Sequence, residues 1–243
     1  MLVEVCAGSL KDCIIAQQNG AHRIELNSAL FLGGLTPSIS TLVLAKRHVT
    51  IPIICMVRPR GAGFCYDDYD KDVMFADAQL LLENGADGIA FGFLKADKTI
   101  DVDATRKMID LIHRYKKQAV FHRAFDCVEN PYFAIETLID LQCDRLLTSG
   151  LQESAIKGRV LLKKLQDKYG ANIELCMGAG VNAENIQRLK QDTGIRQCHA
   201  SFKHWIEDDT TSGKNVSYRY SADDAFDGVS AKKLKTLIEI LGD

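Results

Sequence analysis

Chemically reactive side chains occur at the ends of several short apolar runs in this 243-residue sequence. Glu4 and Glu25 lie within two such runs, and His122 and Asp126 follow a third. Carboxyl and imidazole groups exchange protons readily, so either glutamate could act as a general base and His122 as an acid or an electrophile. Salt bridges to nearby arginines are the alternative role for the carboxylates. These four residues are the predicted catalytic groups.

A second group of residues could bind an anion. Arg58 and Arg60 flank Pro59, which stiffens the turn, and a guanidinium group suits two-point binding of carboxylate or phosphate. The backbone N–H groups of residues 178–180 could cradle a phosphate, although a tight strand–helix turn would look the same. The predicted anion- or substrate-binding residues are Arg58, Arg60, Arg123, Ser149, Gly178, Gly180 and His199.

The sequence contains eight cysteines, no two of which lie within four residues of each other. That spacing excludes zinc sites built on CxxC pairs. Cysteines scattered through apolar segments are typical of free thiols in a reducing cytoplasm rather than of a disulfide framework. Most are expected to be small core residues. Cys6, two residues from Glu4 on the same predicted strand, is the exception whose role stays open.

The elements that must position these residues alternate between short apolar runs and helix-length segments. Eight strands are predicted to begin near Leu2, His22, Ile53, Gly88, Gln118, Arg145, Ile173 and Gln197, on average about 28 residues apart. Eight helices are predicted over 10–19, 38–48, 70–84, 103–115, 131–141, 153–169, 183–191 and 231–241, with Ser9, Asn130 and Asn182 as N-caps. Eight such βα units predict a single-domain (β/α)8 barrel over residues 1–243. The polar stretch 207–228 is predicted to be a surface loop.

In such a barrel the carboxyl ends of all strands meet at one face, where the active sites of barrel enzymes lie. The reactive residues named above should therefore converge on one opening. Ionised groups buried without partners cost several kcal/mol, so these residues need either a ligand or one another. A ligand site and a purely internal network of salt bridges both remain open at this point.

Charge and hydropathy exclude several classes of function. Thirty basic and 32 acidic residues give a net charge of −2 without a clustered basic face, which argues against nucleic-acid binding. The longest apolar run, 51–57, is far below the ~20 residues that a bilayer requires, so we expect no membrane partner. No lysine ends the sixth strand, which disfavours a Schiff-base aldolase.

Six motifs together resemble the copper homeostasis protein CutC family. They keep order and spacing over roughly residues 2–200 and read Glu4-Val5-Cys6, Gly20-Ala21-x-Arg23-Ile24-Glu25-Leu26, Gly33-Gly34-Leu35-Thr36-Pro37-Ser38, Met56-Val57-Arg58-Pro59-Arg60-Gly61, Phe121-His122-Arg123-Ala124-Phe125-Asp126 and Leu147-Thr148-Ser149-Gly150. The resemblance implies a (β/α)8 barrel, a cytoplasmic location, a homodimer or higher homo-oligomer, and a role in copper homeostasis.

The resemblance also implies a metal ligand. The copper ligands suggested for the family are cysteines at the ends of strands 1 and 2, which correspond here to Cys6 and Asn27. A thiolate pair suits Cu(I), whereas an amide oxygen is a poor ligand for it. Cys6 is therefore the predicted metal residue, and Cu(I) is the predicted ion.

Three hypotheses follow from the sequence. The first is a copper-handling protein that binds Cu(I) near Cys6, and it accords with the family resemblance. The second is a barrel enzyme that acts by acid–base chemistry on a small anionic metabolite, phosphorylated or sugar-like. The third is an interaction module whose rim charges pair internally. The expected partner is accordingly a copper ion or a small anion.

Overall fold

Eight parallel strands close into a barrel in the computed structural model, which describes residues 1–242. The strands are β1 Leu2–Ala7, β2 Arg23–Leu26, β3 Ile53–Met56, β4 Gly88–Phe91, β5 Gln118–Phe121, β6 Arg145–Thr148, β7 Glu174–Met177 and β8 Gln197–Ala200. They follow one another around the barrel in chain order, and β8 closes it on β1 with Glu4 opposite His199. The predicted (β/α)8 architecture is confirmed.

A helix follows each strand. The helices are α1 Leu10–Gln18, α2 Ile39–His48, α3 Asp68–Glu83, α4 Val102–Arg114, α5 Pro131–Asp140, α6 Ala155–Tyr169, α7 Ile186–Thr193 and α8 Ala231–Leu241. Ser9 and Asn130 cap their helices as predicted. Asn182 does not, because its side chain accepts from the N–H of Glu184 in a turn that precedes α7.

Alternation along the strands sorts side chains between the two sides of the barrel wall. Val3, Val5 and Ala7 of β1 are buried in the large apolar cluster between strands and helices. Glu4 and Cys6 alternate with them and face the barrel interior. Burial of each of the two valine side chains contributes about 1.5–3 kcal/mol, which helps to fix the register of the strand. The outward apolar residues thereby force the reactive ones inward.

Polar side chains also pair inside the barrel near the amino ends of the strands. Arg23 donates to Glu4 and, at 2.9 Å, to Gln197. Arg145 is buried and donates at 2.9 Å to Glu174, which also accepts from Gln197 at 3.0 Å. Internal charge pairing, predicted as the alternative to a ligand site, therefore exists at this end of the barrel.

The stretch predicted to be a surface loop is partly a β-ribbon. Strand β9 (Lys203–Glu207) pairs antiparallel with β12 (Ala225–Val229), and two short strands, β10 (Ser212–Gly213) and β11 (Val216–Ser217), form a hairpin between them. The ribbon contacts the turn after β2 through Phe31 and Tyr220, whose rings stack at 4.6 Å. The rest of the stretch is irregular, and the paired parts form because strands satisfy backbone groups even where the side chains are polar.

None of the helices within residues 1–242 combines the length and the apolar character needed to cross a membrane.

Candidate functional site

A cavity of about 500 Å³ opens at the carboxyl ends of the strands, within the size range of small-molecule sites. Eight of the twelve predicted site residues line it: Cys6, Glu25, Arg58, His122, Arg123, Asp126, Gly180 and His199. The other four, Glu4, Arg60, Ser149 and Gly178, do not. Residues from six strands or their following loops thus meet at one opening, as the barrel geometry requires.

Cys6, Glu25 and His199 form a cluster on one wall of the cavity. One potential ligand atom from each lies within 4.8 Å of the others. Cys6 Sγ and His199 Nε2 each lie 3.9 Å from Glu25 Oε2. Asn27 donates from Nδ2 to Glu25 Oε2 at 3.0 Å and to Cys6 Sγ at 3.5 Å. A thiol, an imidazole and a carboxylate at this separation could hold one metal ion.

Glu4 lies behind this cluster and orients it. Its carboxylate accepts from Arg23 and, at 2.8 Å, from His199 Nδ1. Burial raises the pKa of Glu4, but the hydrogen bond from His199 and the charge of Arg23 outweigh it and lower the pKa to about 2. Glu4 is therefore ionised and fully partnered, which suits a positioning role better than proton transfer.

The protonation states of the cluster follow from the same charges. Burial lowers the pKa of His199, but the charge of Glu25 and the hydrogen bond to Glu4 outweigh it, so the pKa lies well above its usual value. Burial raises the pKa of the Cys6 thiol and of the Glu25 carboxyl. Without a metal, His199 is an imidazolium and Cys6 a thiol, and a bound metal ion would replace both protons.

Asp126 is surrounded by donors. Its Oδ1 accepts from Thr148 Oγ1 at 2.6 Å, and its Oδ2 accepts from Arg123 Nε and from Ser149 Oγ, both at 2.8 Å. Backbone N–H groups of Ser149 and Leu151 also donate to it. The carboxylate that was predicted to be catalytic thus fastens the loop after β6, with few lone pairs left for a substrate. Ser149 is buried in this cluster and does not reach the cavity.

His122 lies in the wall that contains β5, across the barrel from β1. Its Nδ1 accepts the backbone N–H of Ala124 at 3.1 Å, so the proton of the neutral ring is on Nε2. Burial and the nearby charge of Arg58 lower the pKa of His122 to about 3. Nε2 is buried and has no hydrogen-bond partner. The residue is consequently a neutral donor at the cavity, which favours the role of an electrophile over that of an acid.

Arg58 and Arg60, which were predicted to bind one anion together, point to different places in the structure. Arg58 lines the cavity, but three of its N–H groups donate to the carbonyls of Leu32, Gly34 and Ala62. Only its Nε lacks a partner. Arg60 lies outside the cavity and pairs with Asp70 at 2.8 Å. The two side chains diverge because their carbonyl and carboxylate partners lie on different segments of the surrounding loops.

The glycine turn after β7 contributes differently from the prediction. Gly178 donates its N–H to the carbonyl of Thr148 and therefore belongs to the sheet. Ala179, Gly180 and Val181 line the cavity instead, and the first two have left-handed φ angles of 73° and 69°. The turn precedes α7 by several residues, so it does not form the amino terminus of that helix.

Twelve further residues line the cavity that were not predicted site residues, among them Leu30, Phe64, Cys127 and Lys203. Cys127 directly follows the Phe-Asp motif of 121–126, so its position beside Asp126 was a usable signal. Lys203 lies two residues beyond Ser201 at the end of β8 and was likewise detectable. Leu30 lies in a short 3-10 helix after β2 and Phe64 in the loop after β3, and no local pattern specifies either conformation.

A parallel eight-stranded barrel with its polar groups at the carboxyl ends of the strands defines a protein of the TIM-barrel class. The CutC family model matches residues 1–204, and the chain belongs to the CutC family. It is 40% identical over 243 residues to the family protein CutC of Treponema denticola, covering 98% of each chain. It is also 40% identical over 200 residues to the copper homeostasis protein cutC homolog of Homo sapiens, covering 82% of this chain and 72% of the human protein.

Solved structures agree with this assignment. CutC from Streptococcus agalactiae superposes with a TM-score of 0.77 at 31% identity, covering 82% of this chain and 97% of that one. The 3-hexulose-6-phosphate synthase of Salmonella typhimurium superposes with a TM-score of 0.62 at 13% identity, covering 99% and 98%. At that identity the second similarity concerns the fold alone.

Proposed function

We propose that this protein acts in copper homeostasis by binding one Cu(I) ion at Cys6 and His199, with Glu25 as a further ligand. The observation that carries the proposal is the approach of these three ligand atoms to within 4.8 Å at the cavity wall. The name of the human relative, copper homeostasis protein cutC homolog, supports the cellular role. All eight cysteines are free, which supports a reducing, cytoplasmic location.

Two of the three proposed ligands, Cys6 and His199, suit Cu(I). Thiolate and imidazole are ligands that Cu(I) accepts, while the carboxylate is harder and contributes chiefly charge. The hydrogen bond from Asn27 to the sulfur at 3.5 Å favours the thiolate form that a metal requires. Met56 and Cys127 also line the cavity and offer further soft sulfur. Asn27 therefore stabilises the Cys6 thiolate by a hydrogen bond and does not itself bind the metal, although the family's second cysteine corresponds to this position.

Titration of the reduced protein with Cu(I) against a chromophoric chelator tests the proposal. We expect one tight site, and a loss of affinity of at least about a hundredfold in Cys6→Ser. Cys65→Ser is the matched control, because Cys65 is exposed and lies outside the cavity. Equal affinities in the two variants would reject the assignment. Tight binding of Zn(II) with weak binding of Cu(I) would reject copper as the ion.

A second candidate function is supported by the opposite wall. The neutral His122, whose buried Nε2–H is unpartnered, lines the cavity together with Glu25, whose pKa burial raises. A substrate between them could lose a proton to Glu25 while an oxygen accepts a hydrogen bond from His122. This pair would serve a barrel enzyme that acts on a small anionic metabolite.

Turnover tests this second function. Small phosphorylated and carboxylated carbonyl compounds would be incubated in D2O, and loss of a carbon-bound proton followed by NMR. We expect exchange that Glu25→Gln abolishes and that Glu153→Gln, on an exposed carboxylate, leaves intact. Absence of exchange in every compound, or exchange that persists in Glu25→Gln, would contradict the enzymatic function.

A further inference from the structure

We infer that the cavity binds a small phosphate monoester, with the phosphate on the loop after β7 and a second oxygen on the His122 ring. This inference names a ligand class for the second function proposed above. Copper binding is independent of it. The observations that carry it are hydrogen-bond donors left without acceptors around one opening.

Two of these donors are buried side chains. His122 is 3% exposed, and its Nε2 has no partner; Arg58 is 6% exposed, and its Nε has none. Both residues line the cavity. Buried polar atoms are nearly always hydrogen-bonded in folded proteins, so unpaired donors on two cavity-lining residues are available to an acceptor that a ligand would supply. Both groups donate, so the acceptor is an oxygen of the ligand or of water.

Three further donors lie on the loop after β7. Among residues 1–242, the backbone N–H groups of Ala179, Gly180 and Val181 donate to no protein acceptor. Consecutive free N–H groups on a left-handed turn form a concave site for an anion. A phosphate presents three oxygens to such a turn, whereas a carboxylate presents two. Barrel phosphate sites also favour this place in the fold.

The charges around the opening are compatible with an anion. Arg123 and Lys203 both line the cavity; Arg123 is paired with Asp126, and Lys203 lies 3.6 Å from Asp227. The carboxylate of Asp126 is already neutralised by its donors. Glu25, the other acidic lining residue, projects from β2, across the barrel from β6, and lies beside the positive His199. Neither of the two acidic residues that line the cavity is therefore an unpaired carboxylate that would repel an anion.

The cavity volume of about 500 Å³ restricts the ligand to a small molecule. A phosphate held at residues 179–181 would leave room for a short oxygen-bearing chain extending toward His122. A hydroxyl or carbonyl oxygen on that chain would accept the Nε2 proton. The ligand class is therefore a phosphate monoester of a short polyol or carbonyl compound.

Isothermal titration with inorganic phosphate, inorganic sulfate, glycerol phosphate and glycerol, at constant ionic strength and without metal, tests the inference. We expect phosphate and glycerol phosphate to bind and glycerol not to bind, with glycerol phosphate the tighter of the two. Ser201→Asp adds a negative charge at the cavity lining and should weaken both by at least tenfold. Asn172→Asp adds the same charge at the exposed amino end of β7 and should change them by less than twofold.

His122→Phe supplies the second variant. It keeps a ring and removes the donor, so the advantage of glycerol phosphate over inorganic phosphate should fall at least fivefold. Wild-type protein that binds neither compound at millimolar concentration would overturn the inference, as would equal losses in Ser201→Asp and Asn172→Asp. Sulfate that binds as tightly as glycerol phosphate would show an adventitious anion site and would also overturn it. The titrations contain no metal, so none of these outcomes bears on copper binding. Phosphate binding without turnover would contradict only the enzymatic function.

Discussion

His199 Nδ1 lies 2.8 Å from Glu4 Oε1, where β8 closes the barrel on β1. This hydrogen bond fixes the plane of the imidazole ring and leaves Nε2 directed toward Glu25 and Cys6. A carboxylate behind a histidine is the arrangement that orients metal-binding imidazoles in proteins and makes them better ligands. Glu4 is thus connected to the cavity through His199 without lining it.

Loss of this orienting carboxylate should weaken copper binding. Glu4→Gln keeps the size of the side chain but removes its charge, and we expect a 10–100-fold loss of Cu(I) affinity. Competition with a chelator measures it, after circular dichroism has confirmed that the variant is folded. The control is Glu153→Gln, an exposed carboxylate at the start of α6. Unchanged affinity in Glu4→Gln would show that His199 is not oriented in this way, or is not a ligand.

A second thiol beside Cys6 should strengthen the site. Asn27→Cys would place a sulfur near the position of the present Cγ, one bond from the amide nitrogen that lies 3.5 Å from Cys6 Sγ. We expect Cu(I) affinity to rise by at least about tenfold, because Cu(I) prefers thiolates to amides. Asn27→Ser is the matched control of similar size without a soft ligand. Equal Cu(I) affinity in the two variants would mean that the added thiol does not reach the ion, which would contradict a copper site beside Cys6.

The buried His122 should make the protein sensitive to acid. Its pKa is about 3 in the folded state because of burial and Arg58, against about 6.5 when unfolded. Between these values the unfolded state binds more protons, so stability rises with pH through this window and is lost as pH falls from about 6.5 toward 3. The loss attributable to His122 is at most about 5 kcal/mol.

Urea unfolding between pH 4 and 7 measures this effect. His122→Asn should flatten the dependence of the free energy of unfolding on pH relative to wild type. His48→Asn, on the exposed end of α2, should leave the slope unchanged. Parallel slopes for wild type and His122→Asn would contradict the low pKa of the folded state.

Gly34 should tolerate no side chain. Its φ is +87°, and a Cβ atom built on it would overlap Asn27 Oδ1. Gly34→Ala should therefore cost about 1–3 kcal/mol of stability, from the backbone conformation and the displaced amide. Gly63→Ala is the control, since an added Cβ there meets nothing within 4 Å. Chemical denaturation compares them, and similar midpoints for the two variants would refute the close contact.

Spacing along the chain was sufficient to predict the barrel and the face on which its reactive residues meet. Apolar residues at alternate positions, as in Val3, Val5 and Ala7, specify which side chains pack against helices. The period of two then places Glu4, Cys6 and Glu25 inside without further information. That inference is local and needs only the strand geometry.

The partners of each charged side chain were decided by the tertiary structure. Arg58 and Arg60 are two residues apart, yet one donates to three loop carbonyls and the other pairs with Asp70. Likewise Asp126 meets Thr148 and Ser149 only because β5 and β6 are neighbours. A hydrogen bond forms only when donor and acceptor are placed to within a few tenths of an ångström, and no local pattern encodes that placement for segments far apart in sequence.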